Sequence, residues 1–344
     1  DVITPGTFDA KAKFASYGAA NALYEDGFGL AQMFKWSVDG EKIAFARFDE
    51  SNVKIFPVGI FGDAYSEVNN YSYPLSGEAI PKVDVYVYNV KYEVLTKIDL
   101  GVNPNQYITG FTWNNDGSTL FVQRLNRKQT LLEILVADTK SGNTKVLHSE
   151  TKPDYIKINP DNGVYVASRN SLLWLSEKNG YNHIYEINVA NDSTKEIAMD
   201  NWEVSNIYGV DEERKLIFYG ANETSSKNKN VYRINFDGNN RKKLTEPNGY
   251  HIAHFTSNKK YFLDVYNNIN EPTSYQMWNT EQEPVSPKLI LNKSLKEKLE
   301  KYNIPDAEFR EFNIAGTEVS GFYIEPSAKK NPAKYPVIFY VYGS

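Results

Sequence analysis

The sequence predicts a mostly β chain. It reads as a partial β-propeller of about five four-stranded blades, followed by the opening strands of an α/β domain. Three observations carry this. A turn-plus-strand phrase recurs along the chain at nearly constant spacing. Aromatic and β-branched residues, with 25 Tyr and 18 Phe in all, fall in short alternating runs that suit half-buried strands. Near residue 292 both rhythms stop and a different pattern begins.

The recurring phrase starts at Trp36-Ser37-Val38-Asp39-Gly40, which leads into Lys42 to Ala46. It returns at Trp113 to Gly117 before Thr119 to Val122, and at Ile158 to Gly163 before Val164 to Val166. Two further copies are Gly209 to Glu213 before Lys215 to Tyr219, and Phe255 to Lys259 before Tyr261 to Leu263. The spacings are about 77, 45, 52 and 45 residues, and the last three match the length of a four-stranded propeller blade. Later strands recur too, at Val83 to Tyr88, Leu132 to Ala137, His183 to Ile187 and Val231 to Ile234. Asp, Asn and Gly at the intervening turns give hairpin chemistry.

The long first spacing has its surplus in Glu50 to Lys82, rich in Pro, Gly, Tyr and Asn. We read it as an arm inserted between two strands of one blade, and its aromatics (Phe56, Phe61, Tyr65, Tyr71, Tyr73) suit docking on a partner. The predicted organisation is therefore a partial propeller over 1–291, a helical linker over 292–305 and the start of an α/β domain over 306–344. Ser294 to Tyr302 is expected to be a short amphipathic helix opened by Asn292, with its lysines solvated. Ala307 to Ile314 and Val319 to Glu325 form a two-strand phrase. The apolar run Tyr335 to Ser344 reads as a buried central strand. The first residue is Asp and the last run stops where a functional loop normally starts, so the chain reads as a fragment.

Composition excludes several classes. A net charge of −5 with no basic face argues against nucleic acid. The absence of Cys removes disulfide and thiolate chemistry. No apolar run approaches a membrane span. No G-x-S-x-G elbow, phosphate loop or dinucleotide fingerprint occurs, and Ser16 in Ala15-Ser16-Tyr17-Gly18 lacks the context of a nucleophile. His251 and His254 read as surface or blade-edge side chains rather than metal ligands. No cofactor or metal is expected. Four N-x-S/T sequons begin at Asn70, Asn191, Asn222 and Asn292, a number that chance explains in an Asn-rich chain.

The binding chemistry centres on Glu25 and Asp26, directly after Tyr24. Adjacent carboxylates are tolerated where they are exposed or where a cation neutralises them, and a primary ammonium has three donors to offer. A solvated acidic turn is the plain alternative.

These residues, in order, resemble the dipeptidyl peptidase IV branch of the prolyl oligopeptidase family. The matching phrases are Tyr24-Glu25-Asp26 with Phe28-Gly29, Trp36 to Val53, Tyr73 to Val83, Arg124-Leu125-Asn126-Arg127 with Gln129, Ser176 to Tyr185, and Tyr335-Pro336-Val337 leading to Val341-Tyr342-Gly343. The resemblance implies an eight-bladed propeller capping an α/β-hydrolase with a Ser-Asp-His triad. It implies release of dipeptides with Pro or Ala before the cut. By position, Glu25 and Asp26 correspond to the acids that hold the substrate's free amine, and Tyr342 to the donor to the oxyanion. The arm Glu50 to Lys82 corresponds to a homodimer contact. A periplasmic, envelope or secreted location is the family habit. The chain departs from the pattern where Gly27 replaces a third acid and Asn21-Ala22 replace Asp-Trp. One lost charge-assisted contact costs roughly 1.5–3 kcal/mol. The triad is absent from these residues, so the chain alone is expected to be inactive. A non-catalytic propeller binding peptide or protein is the alternative, and a periplasmic scaffold propeller a third reading.

Overall fold

In the computed structural model, residues 14–62, 64–159, 162–285, 289–302, 304–326 and 335–341 are described. The chain forms two compact units, one running to Leu216 with Phe236–Gly238, the other of Ile217–Asn235 with Asn239–Ser344.

The first unit opens with β1 (Ala15–Tyr17), helix α1 (Ala22–Phe28), β2 (Phe34–Trp36) and β3 (Lys42–Asp49). The hairpin β4 (Ile55–Ile60) and β5 (Glu67–Ser72) follows, then β6 (Lys82–Asn89) and β7 (Val94–Ile98). Strands β1, β3, β6 and β7 are neighbours in that order, and β2 also pairs with β3. The second sheet is the meander β8 (Gln106–Trp113), β9 (Thr119–Asn126), β10 (Leu131–Asp138) and β11 (Thr144–Thr151). The third is β12 (Val164–Val166), β13 (Ser171–Ser176), β14 (His183–Asn188) and β15 (Thr194–Glu196), with β16 (Val204–Asp211) closing the unit.

The second unit carries β17 (Leu216–Ala221), β18 (Asn230–Asn235) and β19 (Lys242–Lys243) as successive neighbours. A three-stranded meander follows: β20 (Tyr250–Phe255), β21 (Tyr261–Asn268) and β22 (Glu271–Asn279). Helix α2 (Lys293–Lys301) and the hairpin β23 (Ala307–Ile314) and β24 (Thr317–Ile324) come last. The hairpin turns through Ala315 and Gly316 at φ 51° and 88°, the positive pair that a two-residue turn requires.

In three of the five copies the recurring turn is held by the same bonds. Ser37 Oγ accepts from the Lys42 N–H at 2.9 Å, and Asp39 Oδ1 accepts from the Glu41 N–H at 3.0 Å. In the next copy Asn114 Oδ1 accepts from the Thr119 N–H at 3.0 Å, and Asp116 Oδ1 from the Ser118 N–H at 2.9 Å. In the last, Thr256 Oγ1 accepts from the Tyr261 N–H at 3.2 Å and Asn258 Oδ1 from the Lys260 N–H at 3.1 Å. Gly40, Gly117 and Lys259 sit at positive φ in the fourth position. The strands that follow are buried because every other residue is apolar, as in Ala44, Ala46 and Phe48 against Val83, Val85 and Val87.

Several expectations change. Tyr335 to Val341 lies in no strand, and Ile338, Phe339 and Tyr340 are exposed. A central strand needs partners on both edges for its amides, and none pairs with it among the described residues. Asn292 does not cap α2 with its side chain; it adopts the left-handed region and its amide donates to the Thr273 carbonyl. The expected solvated face of α2 agrees, since none of its residues is buried. Within the arm, β4 and β5 form a hairpin that pairs with no third strand among the described residues, exposing Phe56, Val58, Ile60 and Tyr71.

Candidate functional site

Helix α1 carries the acidic pair, and its seven residues owe their helical state to two caps. Asn21 Oδ1 accepts from the Tyr24 N–H at 3.1 Å at the start. At the end Gly29 turns left-handed at φ 67°, its N–H reaching the Glu25 carbonyl at 3.1 Å while the Leu30 N–H reaches the Tyr24 carbonyl at 3.1 Å.

Tyr24 points inward and is 1 % exposed. Its ring meets Phe48 edge-on at 4.7 Å, Phe28 at 5.3 Å and Tyr107 at 6.0 Å. Its hydroxyl accepts from the Ile108 N–H at 3.0 Å. That N–H sits where the β8–β9 register slips between Ile108 and Gly110. A bulge disrupts the local ladder, and Tyr24 supplies an acceptor for an amide there. Burial pushes the Tyr24 phenol far up, and the Ile108 hydrogen bond opposes this only in part. The phenol therefore stays neutral.

Glu25 and Asp26 lie on the exposed side of the same helix. Neither carboxylate has an ion-pair partner among the described residues. Consecutive helical residues diverge, so the two fan apart, and a cation engaging both must approach from solvent. A Cβ added at Gly27 meets nothing within 4 Å, so the position has room for a side chain.

Other residues singled out in the sequence serve the fold. Arg124 is half-buried and engaged, with Nε and Nη2 on Glu133 Oε2 at 3.0 and 2.7 Å and Nη1 on the Leu100 carbonyl at 2.6 Å. Arg127 donates to the Glu78 carbonyl, tying the arm's return phrase to the β9–β10 turn. In the Ser176 to Tyr185 phrase, His183 Nδ1 meets Glu196 Oε1 at 2.6 Å, and its Nε2 faces the Asp200 and Trp202 carbonyls at 2.9 and 3.1 Å.

Of the two readings expected for His251, surface or blade edge, the surface one does not hold, although its strand β20 is an outer strand of its sheet. His251 is fully buried, with Nδ1 2.9 Å from both Asp264 carboxylate oxygens and Nε2 2.7 Å from the Pro247 carbonyl. His254 is exposed, as expected. Among the described residues no group of three or more His, Asp or Glu could hold a metal. Among them, too, no helix is long and apolar enough to cross a membrane. Tyr342 lies outside the described residues. Two cavities in the first unit, of about 440 and 280 Å³, are lined by mixed polar and apolar residues, including the ion pairs of Lys97 with Asp84 and Lys152 with Glu177.

Residues 3–273 match the family model described as the dipeptidyl peptidase IV N-terminal region. The chain belongs to that family. Dipeptidyl peptidase 4 of Trichophyton equinum is 27% identical over 345 residues, covering 95% of this chain and 44% of that protein. The Trichophyton rubrum protein of the same name gives the same identity and coverage. The crystal structure of Porphyromonas gingivalis dipeptidyl peptidase 4 superposes with a TM-score of 0.82 at 27% identity, over 91% of this chain and 44% of that one. This dipeptidyl peptidase IV N-terminal region thus spans less than half the length of the relatives it matches.

Proposed function

We propose that this dipeptidyl peptidase IV N-terminal region is the substrate-gating part of a serine exopeptidase that cleaves after Pro or Ala at the second position of a peptide. Its part is to hold the substrate's N-terminal ammonium on Glu25 and Asp26. Within this proposal the sheets are about five blades of an eight-bladed propeller, 306–344 opens the hydrolase domain, and Tyr342 donates to the oxyanion. The arm Glu50 to Lys82 carries a homodimer contact, and the protein works in the periplasm, the envelope or outside the cell. The chain itself lacks the catalytic Ser, Asp and His.

One observation carries the reading: two carboxylates with no cation partner among the described residues stand on a doubly capped helix whose tyrosine is fixed in the core. Rigid presentation lets an ammonium find charge-assisted hydrogen bonds without ordering the acids first. The acids also recognise what a free N-terminus has and a blocked one lacks, a positive charge with three N–H donors. Peptide hydrolysis would follow as acyl transfer to a serine and then to water, with the triad outside these residues.

The test is a binding titration. A tetrapeptide with a free N-terminus and Pro second should bind this chain about tenfold or more tighter than its N-acetylated form, and Glu25→Gln should remove most of that difference. Equal affinities for the two peptides would defeat the proposal.

Gly27 favours a second reading, a non-catalytic propeller that binds a peptide or protein partner, because it stands where the family pattern has an acid. Sequencing the gene beyond Ser344 separates the two. A G-x-S-x-G elbow supports the peptidase, and a stop codon or an elbow without Ser supports the binder.

A further inference from the structure

We infer that Tyr24 is a positioning residue for amine recognition, acting through the bond between its hydroxyl and the Ile108 N–H. The inference rests on the reading of Glu25 and Asp26 given above. A seven-residue helix is too short to hold itself in water. Its two caps fix its ends, but among the described residues only Tyr24 carries a side-chain hydrogen bond from α1 to a sheet. That bond spans 84 positions of sequence and ends on an amide beside the β8 bulge. Phe28, from the same helix, packs on Tyr107 at 5.0 Å, and Tyr107 precedes Ile108.

Glu25 follows Tyr24 directly, so rotation of the helix about its axis would swing both carboxylates. The Tyr24 ring, wedged against Phe48, Phe28 and Tyr107, resists translation of the helix. The hydroxyl bond adds what the ring packing lacks, one fixed direction. Without the hydroxyl the ring still fills its place, while the Ile108 N–H loses this acceptor and the helix gains rotational freedom. The acids would then have to be ordered by each arriving ammonium, which lowers affinity.

The experiment compares Tyr24→Phe, Glu25→Gln and Phe121→Leu with the unmodified chain. Phe121 is buried in the second sheet and serves as a control for lost stability alone. The readout is the ratio of affinities for a free-amine X-Pro tetrapeptide and its N-acetylated form. Tyr24→Phe should lower that ratio about three- to tenfold, as for one hydrogen bond, while Phe121→Leu leaves it unchanged. A ratio unchanged in Tyr24→Phe but lowered in Glu25→Gln overturns this inference and leaves the proposed function standing. A ratio unchanged in Glu25→Gln removes the proposed function and this inference with it. Should Tyr24→Phe fail to fold, hydrogen exchange in the unmodified chain decides. The Ile108 amide should exchange more slowly with the free-amine peptide bound and not with the acetylated one; equal exchange overturns the inference.

Discussion

The Lys42 ammonium lies 2.6 Å from the Gly117 carbonyl oxygen and 3.0 Å from Thr139 Oγ1, joining the repeated turn of the first sheet to that of the second. Gly117 stands in the left-handed region at φ 65°, and a Cβ there would come within 3.3 Å of Asp39 Oδ2 and of Ser37 Cβ. The two copies of one sequence phrase therefore touch. Lys42→Met should destabilise the chain by about 1.5–3 kcal/mol, the worth of a charge-assisted hydrogen bond. Gly117→Ala should cost about 1–2 kcal/mol from backbone strain alone. Urea unfolding measures both.

In the second unit His251 and Asp264 form a hydrogen-bonded side-chain pair that is buried on both sides. His251→Ala would leave the Asp264 carboxylate without its imidazole donor in a site where water does not reach. A loss of about 3–5 kcal/mol is expected. His254→Ala, three residues on but exposed, should stay within about 0.5 kcal/mol. Thermal unfolding of the two variants side by side separates the roles.

Acid should weaken the turns. The Ser37 hydroxyl and then the Glu41 N–H hold Asp39 below the usual carboxylate range, and Ser118 does the same for Asp116. Two hydrogen bonds from Ser141 lower Asp138. For Glu186 burial works upward, but Arg169 and Ser171 outweigh it and the net direction is down. Groups lowered by folding contribute stability that is complete above their unfolded values and is lost as pH falls through the folded ones. The melting temperature should hold from neutrality to about pH 5 and fall below about pH 4. Asp116→Asn, which keeps an oxygen for the Ser118 N–H but does not titrate, should show a shallower fall.

Gly27 sits inside α1 with open space around it. Gly27→Ala should stabilise the chain by about 0.5–1 kcal/mol, measured as a rise in the urea midpoint without a change in slope.

Much of this fold was legible because its signals are local. Ser37 with Asp39, Asn114 with Asp116 and Thr256 with Asn258 each build their turn within five residues, so the repeat shows in the sequence itself. The acidic pair was legible for the same reason. Tyr24 was not, since its partner Ile108 depends on a bulge in a distant strand, and bulges leave little mark on composition. The burial of His251 is not legible because both faces of β20 look alike: Tyr250, Ile252 and His254 point outward and His251, Ala253 and Phe255 inward, so each face carries a histidine beside apolar or aromatic residues. Only the register against β21, which brings Asp264 across the strand pair, tells the faces apart. The run at 335–341 has the composition of a core strand, but burial depends on neighbours that the run does not encode.

The most direct test of the account is hydrolysis of an X-Pro chromogenic dipeptide by the full-length polypeptide containing this chain, with and without Glu25→Gln. In the variant kcat/KM should fall by about 10- to 100-fold, the loss of one charge-assisted contact to the ammonium. A kcat/KM that is unchanged by Glu25→Gln would contradict it.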